Sequence, residues 1–354
     1  MEFCAVCDRG EAPLKVLVTG GIGFIGSNLS RRLLADGHDV IVLDSVRREG
    51  VRQNLHWLRS LGGSHFQFVE GDVRDFETVC KAMRDVSAVF HLAAQVAVTT
   101  SLTDPRDDFT TNALGPFNVL EAARHLKPLP TVLYTSTNKV YGEIDHARIA
   151  ERETRYVFED LPHGVSESCP LDFYSPYGCS KGAADQYVRD FHRIYGLPTV
   201  VLRMSCIYGP RQFGNEDQGW VAHFALTTMR GGRLTIYGNG KQVRDILYVD
   251  DLVDIMLTAV QNINRTAGQV YNVGGGTENT ISVWTEFREL LAKKSGRLPS
   301  VNFDQTRFGD QKVYISDIRK LREQLNWVPK VGVEEGVRRL IEEWCVELVA
   351  AAAG

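Results

Sequence analysis

From Lys15 to Val201, short runs of β-branched and other apolar residues alternate with stretches whose apolar positions recur at helical spacing, the order that builds parallel βαβ units. The predicted strands are Lys15 to Thr19, Asp39 to Asp44, Phe66 to Glu70, Ala88 to Leu92, Thr131 to Ser136 and Thr199 to Arg203. Val40-Ile41-Val42-Leu43 and Val132-Leu133-Tyr134 are continuously apolar, as strands are when helices cover both faces of their sheet. The pattern predicts an α/β fold, a doubly wound, mainly parallel sheet of the Rossmann type. Past Tyr208 it loosens: Gly209-Pro210, Gly231-Gly232 and Gly238-Asn239-Gly240 separate shorter elements, which predicts a smaller C-terminal α/β domain. Asp245 to Asn272 reads again as helix and strand, a return to the sheet. The expected division is therefore 1–206 with 242–276 for the sheet domain, and 207–241 with 277–354 for the smaller one.

The chain has 354 residues, 44% hydrophobic and 24% charged, enough for two packed cores. Net charge is −4 and no long block of one sign occurs, which argues against a nucleic-acid partner. No apolar run approaches the roughly 20 residues that span a bilayer, and Met1 to Gly10 lacks the basic and apolar segments of a signal peptide. A cytoplasmic protein without a membrane partner is expected. Of the seven cysteines only Cys4 and Cys7 have metal-ligand spacing, and no second such pair exists, so an inert terminus and no metal site are expected. The closing run Val349 to Gly354 reads as a fraying helix end.

Candidate chemistry begins directly after the first strand. Gly20, Gly23 and Gly26 form a turn that opens the helical stretch Ser27 to Ala35. Glycine lets a pyrophosphate approach the backbone amides and the positive end of that helix. Asp44 closes the next strand, where a carboxylate can accept hydrogen bonds from the adenosine ribose and repel the extra phosphate of NADP. NAD is thus the expected cofactor, although Arg47 and Arg48 soften that discrimination. Asp72-Val73 and Leu92-Ala93-Ala94 end the third and fourth strands and would line the same crevice. The alternative for the glycines is a turn that merely packs helix on strand.

Tyr177 and Lys181 lie four apart at the start of a long helical stretch running toward Tyr195, so both project from one face. Ser136-Thr137 ends the fifth strand and brings hydroxyls to the crevice. Oxidising a sugar carbinol requires a base for the hydroxyl proton, and a tyrosinate can serve. A free phenol titrates near pH 10, so about three units of lowering are needed, or roughly 4 kcal/mol. Lys181 and an oxidised nicotinamide are the positive charges expected to supply it, with Thr137 donating to the substrate oxygen. Alone, the Tyr-Lys pair could equally be a surface contact of ring and ammonium.

The segments Thr19-Gly20-Gly21-Ile22-Gly23-Phe24-Ile25-Gly26, Val140-Tyr141-Gly142, Tyr177 to Lys181 and Arg244-Asp245 resemble the extended short-chain dehydrogenase/reductases, which include nucleotide-sugar epimerases and dehydratases. The resemblance implies that Thr137, Tyr177 and Lys181 are the catalytic trio. It further implies that Phe24, Ile25 and Asn112 join the cofactor site and that the protein is a homo-oligomer, with a dimer favoured. Asn138-Lys139 stands where the 4,6-dehydratases of this family carry an acid pair, so dehydration lacks its acid and base. The stretches Leu171 to Tyr187, Asp217-Gln218-Gly219-Trp220-Val221, Glu153-Thr154-Arg155-Tyr156 and Gly240 to Asp245 resemble the CDP-hexose 2-epimerase branch of the family. The smaller domain is then the nucleotide-sugar-binding one.

Arg244 and Arg307 are the candidates to grip a substrate diphosphate, since a guanidinium can pair two oxygens at once; the alternative is a solvated surface arginine. Asp310 would hold the nucleotide ribose. Asn138 and Lys139 would face the sugar. Gln218 and Trp220 would touch sugar or base, with an ordinary core role for Trp220 as the alternative. Cys206 departs from the family, where an asparagine often contacts the phosphate, and packing is its expected role. The expected function is NAD-dependent 2-epimerisation of a CDP-hexose through a transient ketone. A nucleotide-sugar 4-epimerase and a non-catalytic dinucleotide-binding scaffold are the rivals.

Overall fold

The structure, a computed structural model, describes residues 13–307 and 309–353; Cys4 and Cys7 lie outside the described residues. A seven-stranded sheet runs in the order Gln269–Val273, Thr199–Met204, Thr131–Thr137, Ala88–His91, Lys15–Thr19, Asp39–Asp44, Phe66–Glu70. The pairings among the first five strands of the chain are parallel. The six strands predicted from apolar runs all form, each within one residue of the expected bounds. The seventh, Gln269–Val273, follows the helix Val249–Gln261 and joins the sheet edge, where the Gly268 amide donates to the Thr199 carbonyl at 2.7 Å.

Val40, Ile41, Val42 and Leu43 are all buried, the result their unbroken apolarity foretold. Leu17, Leu43, Val89, Val132 and Val201 from the strands pack with Val79, Val119, Leu120, Val188 and Phe191 from the helices. Each such side chain contributes roughly 1.5–3 kcal/mol by leaving water. Lys15–Thr19 has Asp39–Asp44 on one side and Ala88–His91 on the other, so the winding reverses between the first and fourth strands. Ligands of such sheets bind beyond the carboxyl ends at that reversal.

By compactness the chain divides into two units: residues up to Val140 with Ser175–Arg203 and Val253–Tyr271, and Tyr141–Tyr174 with Met204–Leu252 and Asn272 onward. The excursion Tyr141–Tyr174 groups with the second unit because its bonds go there: Val165 bridges Ser316, and the Gln311 amide donates to the Gly142 carbonyl. Val243–Tyr248 does likewise, pairing with Cys206–Tyr208, Thr280–Ser282 and Val313–Tyr314. The second core gathers Tyr208, Phe224, Ile246, Trp284, Phe287 and Trp344. Among the described residues, no helix is long and apolar enough to cross a membrane.

Candidate active site

The loop after the first strand is built for close backbone approach. Gly20 has φ +69°, and a Cβ there would lie 2.7 Å from the Ala93 amide nitrogen, so only glycine lets the first and fourth strand ends meet. A Cβ on Gly26 would fall on the Gly20 carbonyl oxygen. The helix Phe24–Ala35 starts behind Gly23 with no side-chain cap and no acidic residue in its first turn, leaving amide donors and the positive helix end for an anion. Phe24 and Ile25 lie in that turn. Asp44 accepts from the Val46 amide at 2.9 Å and the Ile22 amide at 3.4 Å; burial pushes its carboxyl up, against those bonds and the Arg48 charge. A dinucleotide's pyrophosphate and ribose fit these groups.

Other residues expected near the cofactor do structural duty. Asp72 is held by Arg74 at 2.6 Å, and Arg74 also reaches Asp107 at 2.9 Å. Val73 is buried among core side chains. Leu92 and Ala93 donate their amides to the Thr19 hydroxyl at 3.2 and 3.3 Å, and Ala94 continues that loop. Asn112 is fully buried: its amide donates to the Gln95 carbonyl at 2.8 Å and to Asp108 at 3.0 Å, while its oxygen accepts from the Gln95 amide at 2.9 Å. Its polar atoms thus fix the loop at Gln95.

The long helix forms over Ser175–Tyr195, with the Ser175 hydroxyl accepting from the Gly178 amide at 3.2 Å. Tyr177 and Lys181 are both buried on it. Thr137 acts on the Tyr177 phenol from the strand end, and Lys181 stands one helical turn beyond Tyr177 on the same helix. Lys181 Nζ donates to the Thr135 carbonyl at 2.6 Å and lies 4.3 Å from the Tyr134 ring centroid. Asn138 Oδ1 accepts from Thr137 at 3.3 Å, and the Lys139 amide donates to the Thr137 hydroxyl at 3.2 Å.

Among the protein's own groups, burial dominates the electrostatics of the pair. Burial pushes the Tyr177 phenol up to about 12, against the Thr137 hydrogen bond and the Arg48 charge, with Asp108 adding to the rise. Burial pushes Lys181 down to about 7, while Asp108 and Asp185 favour its ammonium. The expectation weighed charges and omitted the cost of desolvating both groups. Asp108, Ser180 and Gln95 were missed altogether. They carry no local motif, and only tertiary contact reveals them.

In the second unit, Arg244 pairs with Asp310 at 2.5 Å and donates to the Val243 carbonyl at 2.7 Å. Arg307 donates to the Glu216 carbonyl at 2.8 Å and lies over the Tyr237 ring at 3.7 Å, with the Asp217 carboxylate 3.6 Å away. Trp220 packs edge-on against Phe224 and Phe287 at 5.7 and 5.0 Å, the core role named as its alternative. Gln218 closes a turn with Asn215. Cys206 is half-buried against the core, as expected of a packing residue. Asp245 is fully buried and accepts from the Ser205 hydroxyl and from the Gly276 and Ser316 amides, tying four chain segments together.

A family model described as GDP-mannose 4,6 dehydratase matches residues 17–340. The CDP-paratose 2-epimerase of Salmonella typhi is 44% identical over 93% of this chain and 98% of its own length. The UDP-glucose 4-epimerase of Mycolicibacterium smegmatis is 34% identical over 93% of this chain and 98% of its own length. The crystal structure of the UDP-glucuronic acid 4-epimerase from Bacillus cereus, in complex with UDP-glucuronic acid and NAD, superposes with a TM-score of 0.82 at 29% identity, covering 95% of this chain and all of that one. With its glycine loop at the winding reversal and its Thr-Tyr-Lys cluster, the chain belongs to the NAD-dependent epimerase/dehydratase family, the extended short-chain dehydrogenase/reductases.

Proposed function

We propose that the protein is an NAD-dependent isomerase that inverts C2 of a CDP-hexose, of the CDP-paratose/CDP-tyvelose type, through a transient ketone. The carrying observation is the 44% identity, along nearly the whole length of both chains, to a CDP-paratose 2-epimerase. NAD bound over the Gly20 loop would accept hydride from the sugar carbon and return it to the opposite face. The amides at the start of the Phe24–Ala35 helix would hold its pyrophosphate, and Asp44 its adenosine ribose. Thr137 would hold the sugar oxygen while Tyr177 takes and later returns its proton. Arg244 and Arg307 would grip the diphosphate, which must compete with Asp310 for one and with Glu216 and Asp217 for the other. Asn138-Lys139 supplies no acid pair for dehydration, which favours epimerase over dehydratase.

A cytoplasmic homodimer is part of this reading; exposed Leu102, Phe109 and Tyr187 offer apolar surface for a second copy. The test is incubation with CDP- and UDP-sugars followed by NMR of the products. A new C2 epimer of CDP-paratose or CDP-tyvelose is expected. Inversion at C4 of UDP-glucose alone would assign the 4-epimerase activity instead, and no turnover of any sugar would return the scaffold reading.

A further inference from the structure

We propose that Asp108 is a positioning residue for the Tyr177–Lys181 pair, its buried carboxylate being the fixed counter-charge that holds the Lys181 ammonium in the site. The inference rests on the reading of Tyr177 and Lys181 as the proton-handling pair. Asp108 lies on the short helix Pro105–Phe109 and is 1% exposed. Its donors are all neutral: Gln95 Nε2 at 2.9 Å and Asn112 Nδ2 at 3.0 Å to one oxygen, and the Ser180 hydroxyl to the other. Among the described residues, no arginine, lysine or histidine forms an ion pair with it.

The neighbouring carboxylate shows the contrast. Asp185 is also fully buried, but Arg203 meets both its oxygens, at 2.8 and 2.9 Å. A buried carboxylate costs several kcal/mol to desolvate, and neutral donors offset only part of that. The cation whose charge acts on Asp108 is Lys181, and Asp108 precedes Asp185 among the groups that favour the Lys181 ammonium against burial. Ser180 adds a mechanical link, since the residue gripped by Asp108 immediately precedes Lys181 in the helix.

The charged and titratable groups around this pair come from every neighbouring element. Lys181 faces Asp108 from Pro105–Phe109, Asp185 from its own helix, and His91 and Tyr134 from two strands. Asp108 also acts on Tyr177 and Tyr134, where its negative charge opposes the phenolate, while the Arg48 charge favours the Tyr177 phenolate. Removing that charge therefore makes Lys181 lose its proton at lower pH and makes Tyr177 titrate lower as well.

The experiment compares wild type with Asp108→Asn, which keeps the shape and one acceptor, using the full chain with NAD and CDP-paratose. The alkaline limb of kcat should move to lower pH by about one unit, with the acid limb unmoved or moved the same way. A separate readout needs no turnover: near-ultraviolet tyrosinate absorbance, with the Tyr177→Phe titration subtracted, should show Tyr177 ionising at lower pH in Asp108→Asn. A variant that only loses amplitude, with both limbs and the tyrosinate titration in place, overturns the inference. Should Asp108→Asn not fold, Asp108→Ser removes the same charge and is read the same way. Near-normal turnover in Tyr177→Phe would sink the underlying reading; an inactive Tyr177→Phe with unmoved limbs in Asp108→Asn sinks only the role of Asp108.

Discussion

The Thr19 hydroxyl and His91 Nδ1 lie 2.6 Å apart at the ends of adjacent strands, and this contact anchors a fully buried imidazole. The Thr19 oxygen is also approached by the Leu92 and Ala93 amides at 3.2 and 3.3 Å, and among the described residues no partner meets His91 Nε2.

A protonated His91 would bring a charge and an unpartnered Nε2 hydrogen into a core that burial makes hostile to both. Burial and the Lys181 charge push its pKa down to about 3, whereas the unfolded chain titrates near 6.5. Because the folded value is the lower one, the stability is present above about pH 6.5 and is lost as pH falls through the window toward 3. Between pH 7.5 and 5 the loss should be about 2 kcal/mol. Urea unfolding at the two pH values checks this, and His91→Gln should shrink the difference. An equal difference in the variant would remove His91 as its source.

The Asp185–Arg203 pair ties the helix Ser175–Tyr195 to the strand Thr199–Met204, with side chains only 0% and 2% exposed. Arg203→Met leaves the carboxylate buried without its cation, and should cost about 3–5 kcal/mol. Adding Asp185→Leu removes the stranded charge and should restore part of that. Denaturant midpoints of wild type, single and double variants decide it. A double variant less stable than the single would contradict the argument.

Sheet and glycine loop were legible because their signals are local: strands four to seven residues long built on short apolar runs, and glycines where any Cβ would collide with Ala93 or Gly20. Tyr177 and Lys181 on one helix face and Thr137 at a strand end were legible in the same local way, whereas their grouping as a trio came from the family resemblance. Strands such as Cys206–Tyr208 and Val313–Tyr314 were not, being too short to show alternation. Pairing of Arg244 with Asp310, residues far apart in sequence, was equally hidden, as was the desolvation that moves Tyr177 and Lys181. Burial is a property of the assembled fold, and no spacing rule carries it.

Asp44 offers a test of cofactor choice. Asp44→Asn keeps an acceptor for the Val46 amide but removes the charge that would repel a ribose phosphate. NAD affinity should fall about tenfold, equivalent to about 1.4 kcal/mol, while NADP affinity rises or holds. Calorimetric titration of the cofactor-stripped protein with each dinucleotide measures both. An unchanged ratio of the two affinities would take discrimination away from Asp44.

In the proposed function Tyr177 and Thr137 handle a hydroxyl proton, and Asn138-Lys139 offers no acidic pair to work on carbon. If the proposed C2 chemistry is right, the hydrogen that leaves C2 returns to the same carbon without meeting solvent. Deuterium placed at C2 should therefore survive epimerisation of CDP-paratose. In heavy water, the unlabelled substrate should acquire little or no deuterium at C2, because deprotonation of that carbon by a side chain would bring in solvent label and proton transfer to oxygen would not. Exchange at C3 is compatible with the mechanism, since a C2 ketone makes the neighbouring carbon acidic. NMR of the product reads all three positions in one spectrum. Inversion at C4 with C2 untouched would move the reaction to another carbon while sparing the Tyr177 role, and extensive solvent label at C2 would remove the hydride mechanism itself.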